Sequence, residues 1–234
     1  MIPVGDDTGR IRRKTVLVPL IANICVAVFI LQFLFGDVIT YAWSATAYEL
    51  WHGMDLDHAM HLVASDGSQA VIPHHALPHP ALVWLTPLTA IFLHGDVWHL
   101  LGNLIYLLVF GNHIEFLLGK PRFVLFYLGC GLIATVAQLA SDVESIIPML
   151  GASGAISGIL GAYFRRFPWK LITFWIFPLP LFLPVPAFIA LGIWFLGQWS
   201  SLSGGQPGVA WLAHIGGFIA GFILVDHFRP EIRR

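Results

Sequence analysis

All twelve Lys and Arg residues of this chain fall in five short stretches, and pairs of apolar runs separate all but the last two of them. The cations are Arg10, Arg12, Arg13 and Lys14; Lys120 and Arg122; Arg165, Arg166 and Lys170; Arg229; and Arg233 and Arg234. The apolar runs cover about residues 16–35, 98–118, 122–141, 152–164, 184–202 and 209–226. Six membrane crossings with both termini on one side place every cation on that side, which the positive-inside bias makes cytoplasmic. The connecting segments on the other side, 36–97, 142–151 and 203–208, hold no Lys or Arg and carry most of the acids, from Asp37 to Glu144.

Composition agrees. Hydrophobic residues make up 57% of the 234, charged residues 11%, and mean hydropathy is +0.79. A soluble domain carries about 25% charged residues. Most of the runs approach the ~20 residues that a bilayer core demands, and the fourth is short. The expectation is an all-α membrane protein of six transmembrane helices, N and C termini cytoplasmic. A single domain occupies 1–234, with its core over about 85–225 and an outer insertion at about 41–86. Residues 171–183 are also apolar, but Pro178 and Pro180 interrupt them and Pro184 and Pro186 follow. A further span there would move the C-terminal arginines outside, so the stretch reads as interfacial or re-entrant. The first run is long for the apolar region of a signal peptide and reads as a retained span. Cys25 and Cys130 lie within apolar runs, so no disulfide is expected. Neither a cofactor nor a nucleic-acid partner is expected, and oligomeric state is left open.

With direction assigned, depth can be read. The second run travels from outside to inside and opens with His99 and Asn103, four apart and so on one helical face. The fourth and sixth travel the same way, opening at Ser153 and one turn before His214. Four polar side chains from three helices thus lie at similar depth near the outer surface. Alone, Ser153 reads as a small packing residue and His214 as an interhelical hydrogen-bonding group. Polar groups at membrane depth are costly, however, and their convergence points to function. Gly154 and Gly158, and His214, Gly217 and Gly221, line faces of small residues that let two membrane helices approach backbone to backbone. That approach would carry the Ser153 hydroxyl to the His214 imidazole, an activated nucleophile. A helix N-terminus at Ser153 offers unpaired N–H groups to an oxyanion, and His99 and Asn103 can add side-chain donors. No carboxylate is placed at that depth, so the pair is expected to act as a dyad.

These residues resemble the rhomboid family of intramembrane serine proteases. The motifs are Gly151-Ala152-Ser153-Gly154; Ala213-His214-Ile215-Gly216-Gly217 with Gly221; and His94, His99 and Asn103, followed by Gly111, Glu115 and Gly119. The likeness covers about residues 85–225. It implies a compact six-helix fold with Ser153 as nucleophile and His214 as general base. It also implies an oxyanion hole of His99, Asn103 and the Ser153 amide, and no metal. The implied substrates are transmembrane proteins cut near the outer ends of their helices, in a cell membrane, with the fifth helix and its flanking loops as a lateral gate. Some members carry an aromatic residue four positions after the serine, stacked on the histidine; this chain has Ser157. Many members carry a Trp-Arg pair in the outer loop; Trp84-Leu85 is the nearest match.

Other polar residues read as structural. Glu115 is expected to tie loop backbone or Lys120 and Arg122, Gly111 and Gly119 to form a helix-contact face, and His113 and His227 to be ordinary. The outer segment holds His52, His58, His61, His74, His75 and His79 with Asp55, Asp57 and Asp66, which could bind a transition metal. Their spacing fits no defined site and no His-Glu-x-x-His motif is present. A solvated loop anchored by Trp51, Leu56 and Trp84 is the simpler expectation. Competing functions are a catalytically idle relative that binds membrane proteins, and a small metal-handling or transport protein using the histidine-rich segment.

Overall fold

Backbone in an apolar run must satisfy its own hydrogen bonds, which favours helices. The computed structural model describes residues 1–7, 15–63, 69–202 and 209–229. The 203–208 connection, Asp66 and the cations at 10–14 and 233–234 lie outside them. Among the described residues, the six long helices are α1 (Leu17–Phe35), α2 (Val97–Leu118), α3 (Lys120–Leu139), α4 (Ser153–Arg166), α5 (Ala187–Ser201) and α6 (Trp211–Leu224). Three of them, α1, α2 and α3, are long and apolar enough to cross a membrane. The others are shorter, at 14, 15 and 14 residues.

The shortest helices lie nearest the centre. Every residue of α4 from Gly154 to Tyr163 is buried. A Cβ at Gly161 would strike the Phe218 carbonyl, one at Gly217 the Gly154 carbonyl, and one at Gly221 the Gly158 carbonyl. The small-residue faces read in the sequence therefore meet backbone to backbone. On the outward surfaces, Phe33, Phe116, Leu125, Val136, Ile193 and Leu196 are exposed, the arrangement expected where lipid replaces water.

The chain is mostly helical but not all-α. The 171–183 stretch forms a hairpin of β4 (Leu171–Trp175) and β5 (Phe182–Pro186), and β1 (Ile2–Asp6) pairs antiparallel with β4. Pro184 and Pro186 lie on the outer strand, where a missing N–H costs no ladder bond. The outer insertion is also structured, with short helices at Asp37–Ala42 and Ala47–His52 and a hairpin of β2 (Met60–Val63) and β3 (Gln69–Ile72). Ala45 and Met149 exchange backbone hydrogen bonds of 2.9 and 2.8 Å, joining this insertion to the strap that enters α4. Trp51 and Trp84 are exposed, but Leu56 is buried and its N–H bonds to Glu49 Oε1 at 2.9 Å.

The end remote from Ser153 is tied by charge. Glu115 ties backbone, the first of its two expected roles. Its carboxylate accepts the N–H groups of Val16, Leu17 and Val18 at 2.8–3.1 Å, capping the N-terminus of α1. A Cβ at Gly111 would meet Val18, so a contact face lies there, whereas Gly119 takes φ +77° in the turn into α3, where an added Cβ would meet nothing within 4 Å. Asp226 pairs with Arg165 at 2.6 Å and Arg166 at 3.1 Å. His113 joins Tyr163 at the Asp6 carboxylate, so it anchors β1 to the bundle.

Candidate active site

The site is assembled by helix starts. Asp96 caps α2, accepting from the N–H groups of Trp98 and His99 at 2.7 and 2.9 Å, and this sets where the helix begins. Gly151 N–H bonds to Ala90 O at 2.8 Å, and Gly151 turns at φ +128° into α4. A side chain at Gly151 would lie 2.8 Å from His99 Cε1 and Nε2, so only glycine lets the His99 ring cover the strap. Ser153 is then the first residue of α4, and its N–H has no carbonyl one turn earlier in the helix to bond.

His214 lies one turn into α6, and the close contact of α4 with α6 puts its Nε2 2.8 Å from Ser153 Oγ. Asn103 is buried, with Nδ2 lacking any hydrogen-bond partner. His99 Nδ1 accepts the Gly95 N–H at 3.4 Å, which leaves Nε2 as the protonated nitrogen on the Gly151 side. All four residues line one cavity of about 220 Å³, together with Trp98, Tyr106, Trp194 and others from α2, α4 and α5. The four residues that the sequence set at one depth thus line one cavity.

Several contacts escaped sequence reading. The Ser157 hydroxyl bonds back to Ser153 O at 2.7 Å. The His214 ring is flanked by Trp194 and Trp211, with centroids 6.1 and 6.0 Å away. Gln198 Oε1 lies 2.8 Å from His214 Nδ1, and Gln138 Oε1 accepts the Ala213 N–H at 3.3 Å. Gln32 likewise grips the backbone of His94 through both amide atoms at 3.0 Å. Lone glutamines in apolar runs were the available signal, because an uncharged amide at that depth also needs a partner.

His52 faces Glu144 at 3.2 Å, His58 faces Asp57 at 2.7 Å, and His74 is buried. Among the described residues no three His, Cys, Asp or Glu side chains are placed to hold a metal ion. Cys25 and Cys130 are free and buried.

A multi-pass membrane protein with a half-buried serine–histidine pair beside an unpaired buried amide donor is the class this fold and site define. Residues 82–230 match the Rhomboid domain, and the chain belongs to the rhomboid family. It is 38% identical over 80 residues to the putative rhomboid protease YdcA of Bacillus subtilis, covering 34% of this chain and 40% of that protein. It is 43% identical over 79 residues to the rhomboid protease GluP of Bacillus subtilis, covering 34% and 15%. With the mitochondrial Rhomboid protein 1 of Saccharomyces cerevisiae it shares 30% over 141 residues, covering 56% and 38%. The chain matches less than half the length of each of these relatives.

Proposed function

We propose that this chain is an intramembrane serine endopeptidase that cuts transmembrane protein substrates with a Ser153–His214 dyad. The observation that carries this reading is the 2.8 Å contact between Ser153 Oγ and His214 Nε2 inside a cavity lined by an unpaired amide donor. Membership of a family with protease-named relatives supports the same class of reaction.

In the proposed reaction Ser153 Oγ attacks the scissile carbonyl carbon while its proton passes to His214 Nε2. The oxyanion so formed takes hydrogen bonds from the Ser153 N–H, Asn103 Nδ2 and His99 Nε2–H. His214 then returns the proton to the departing amine as the C–N bond breaks, leaving an ester on Ser153. Water, deprotonated by His214, hydrolyses that ester and restores the serine. The six long helices are proposed to span the bilayer with both termini on the cytoplasmic side of a cell membrane. The cavity then opens toward the extracytoplasmic side, where the end of a substrate helix can unwind.

Purified protein in detergent is treated with a fluorophosphonate probe beside Ser153→Ala and His214→Ala, and cleavage of a single-span substrate is followed in proteoliposomes. Wild type is expected to label and cleave, and Ser153→Ala to do neither. His214→Ala is expected to fall by at least ~10³-fold, the scale of loss when a triad member is removed. Equal labelling of wild type and Ser153→Ala would overturn the assignment.

A further inference from the structure

The Gln198 amide is oriented by what surrounds it. Gln198 lies on α5, 7% exposed, and its Nε2 donates to the Trp194 carbonyl at 3.1 Å. A carbonyl can only accept, so the nitrogen must face Trp194 and Oε1 must face His214. Oε1 is itself only an acceptor, and it lies 2.8 Å from His214 Nδ1. Nδ1 therefore carries the ring proton, and Nε2 presents its lone pair to Ser153 Oγ at 2.8 Å. With the tautomers exchanged, two acceptors would face each other across a part-buried contact, and Nε2–H would point at the hydroxyl whose proton it has to take.

We propose that Gln198 is the positioning residue for His214: it selects the Nδ1–H tautomer and fixes the ring angle. Trp194, one turn before it on the same helix, completes the support by flanking the ring. The inference rests on the reading of His214 as general base. An amide does this work without adding a buried negative charge, which suits a site with no carboxylate partner for the imidazole among the described residues. The helix that carries it has few buried positions, Ala187, Leu191 and Gln198. The tautomer thus depends on α5 being docked against α6.

Nitrogen-15 histidine spectra of wild type, Gln198→Leu and Gln198→Glu, with His214→Ala for assignment, read the tautomer directly. Fluorophosphonate labelling rates are measured on the same samples. Wild type is expected to show His214 as a single Nδ1–H species. Gln198→Leu should show a mixture or the Nε2–H form, with labelling slowed roughly 10- to 10²-fold, the direction known for a wrong-tautomer base. Gln198→Glu keeps an acceptor at the same reach and should keep the Nδ1–H form, with labelling within several-fold of wild type. Should Gln198→Leu fail to fold, Gln198→Met, unbranched and of similar length, takes its place. An unchanged Nδ1–H tautomer in the folded non-accepting variant overturns the proposal, as does its loss in Gln198→Glu. A wild type that shows the tautomer but never labels at Ser153 overturns the protease reading alone.

Discussion

Asn103 Nδ2 is a buried donor with no partner, a state that costs about 1–3 kcal/mol. A cost of that size persists where a reaction supplies the missing acceptor, and the proposed oxyanion is such an acceptor. Asn103→Ala is therefore expected to lower kcat by roughly 10²–10³-fold while leaving KM near wild type. The same substitution removes an unpaired group, so the melting temperature should hold or rise. A parallel fall in stability and activity, read by thermal unfolding beside steady-state cleavage, would assign Asn103 a structural role instead. Ser157 makes the complementary point. It stands where some rhomboid-family members carry an aromatic support, and the ring is met by Gln198 and Trp194 from α5 and by Trp211 from its own helix.

Among the elements, α4 and α6 decide whether the site exists. Their contact is made by backbone atoms at Gly161, Gly217 and Gly221, and no side chain can be trimmed to relieve a clash there. Gly221→Leu should force the helices apart and cost more than the ~1–3 kcal/mol of ordinary overpacking. Both the unfolding temperature and Ser153 labelling should drop. Gly129, on α3, meets nothing within 4 Å, so Gly129→Ala is the control expected to leave both unchanged. If Gly221→Leu labelled at the wild-type rate, close helix approach would not be what joins Ser153 to His214.

Across the whole molecule, the proposed site and the arginine-held contacts lie at opposite ends. The Asp226–Arg165–Arg166 cluster, the Glu115 cap on α1 and the β1–β4–β5 sheet occupy one end. The strap into Ser153 and the outer insertion occupy the other. The proposed six-span topology then predicts opposite accessibility for two exposed positions, Gln69 in β3 and Lys120 at the start of α3. In intact cells a membrane-impermeant maleimide should modify Gln69→Cys at once and Lys120→Cys only after lysis. The native cysteines, both buried, should give little background. The reverse pattern, or labelling of both, would reject the proposed orientation.

Helix positions were legible because apolarity is a local property: six runs became six helices, with ends shifted by a few residues at 184–202, where β5 takes the first part. The four candidate site residues were legible because His99, Asn103, Ser153 and His214 each lie in the first turns of a helix, and in the expected topology the cations start those three helices on the same side. The partner of a polar group is not local. Gln198 and His214 are on different helices, Glu115 meets backbone about a hundred residues away at Val16–Val18, and β1 pairs with β4 across most of the chain. By itself, then, the sequence determined which segments are helical, which end of each carries positive charge and which side chains could do chemistry. Only the tertiary structure decided what holds His214, which donor stays unpaired and how the chain before α1 is fastened, because those depend on contacts that form once the helices pack.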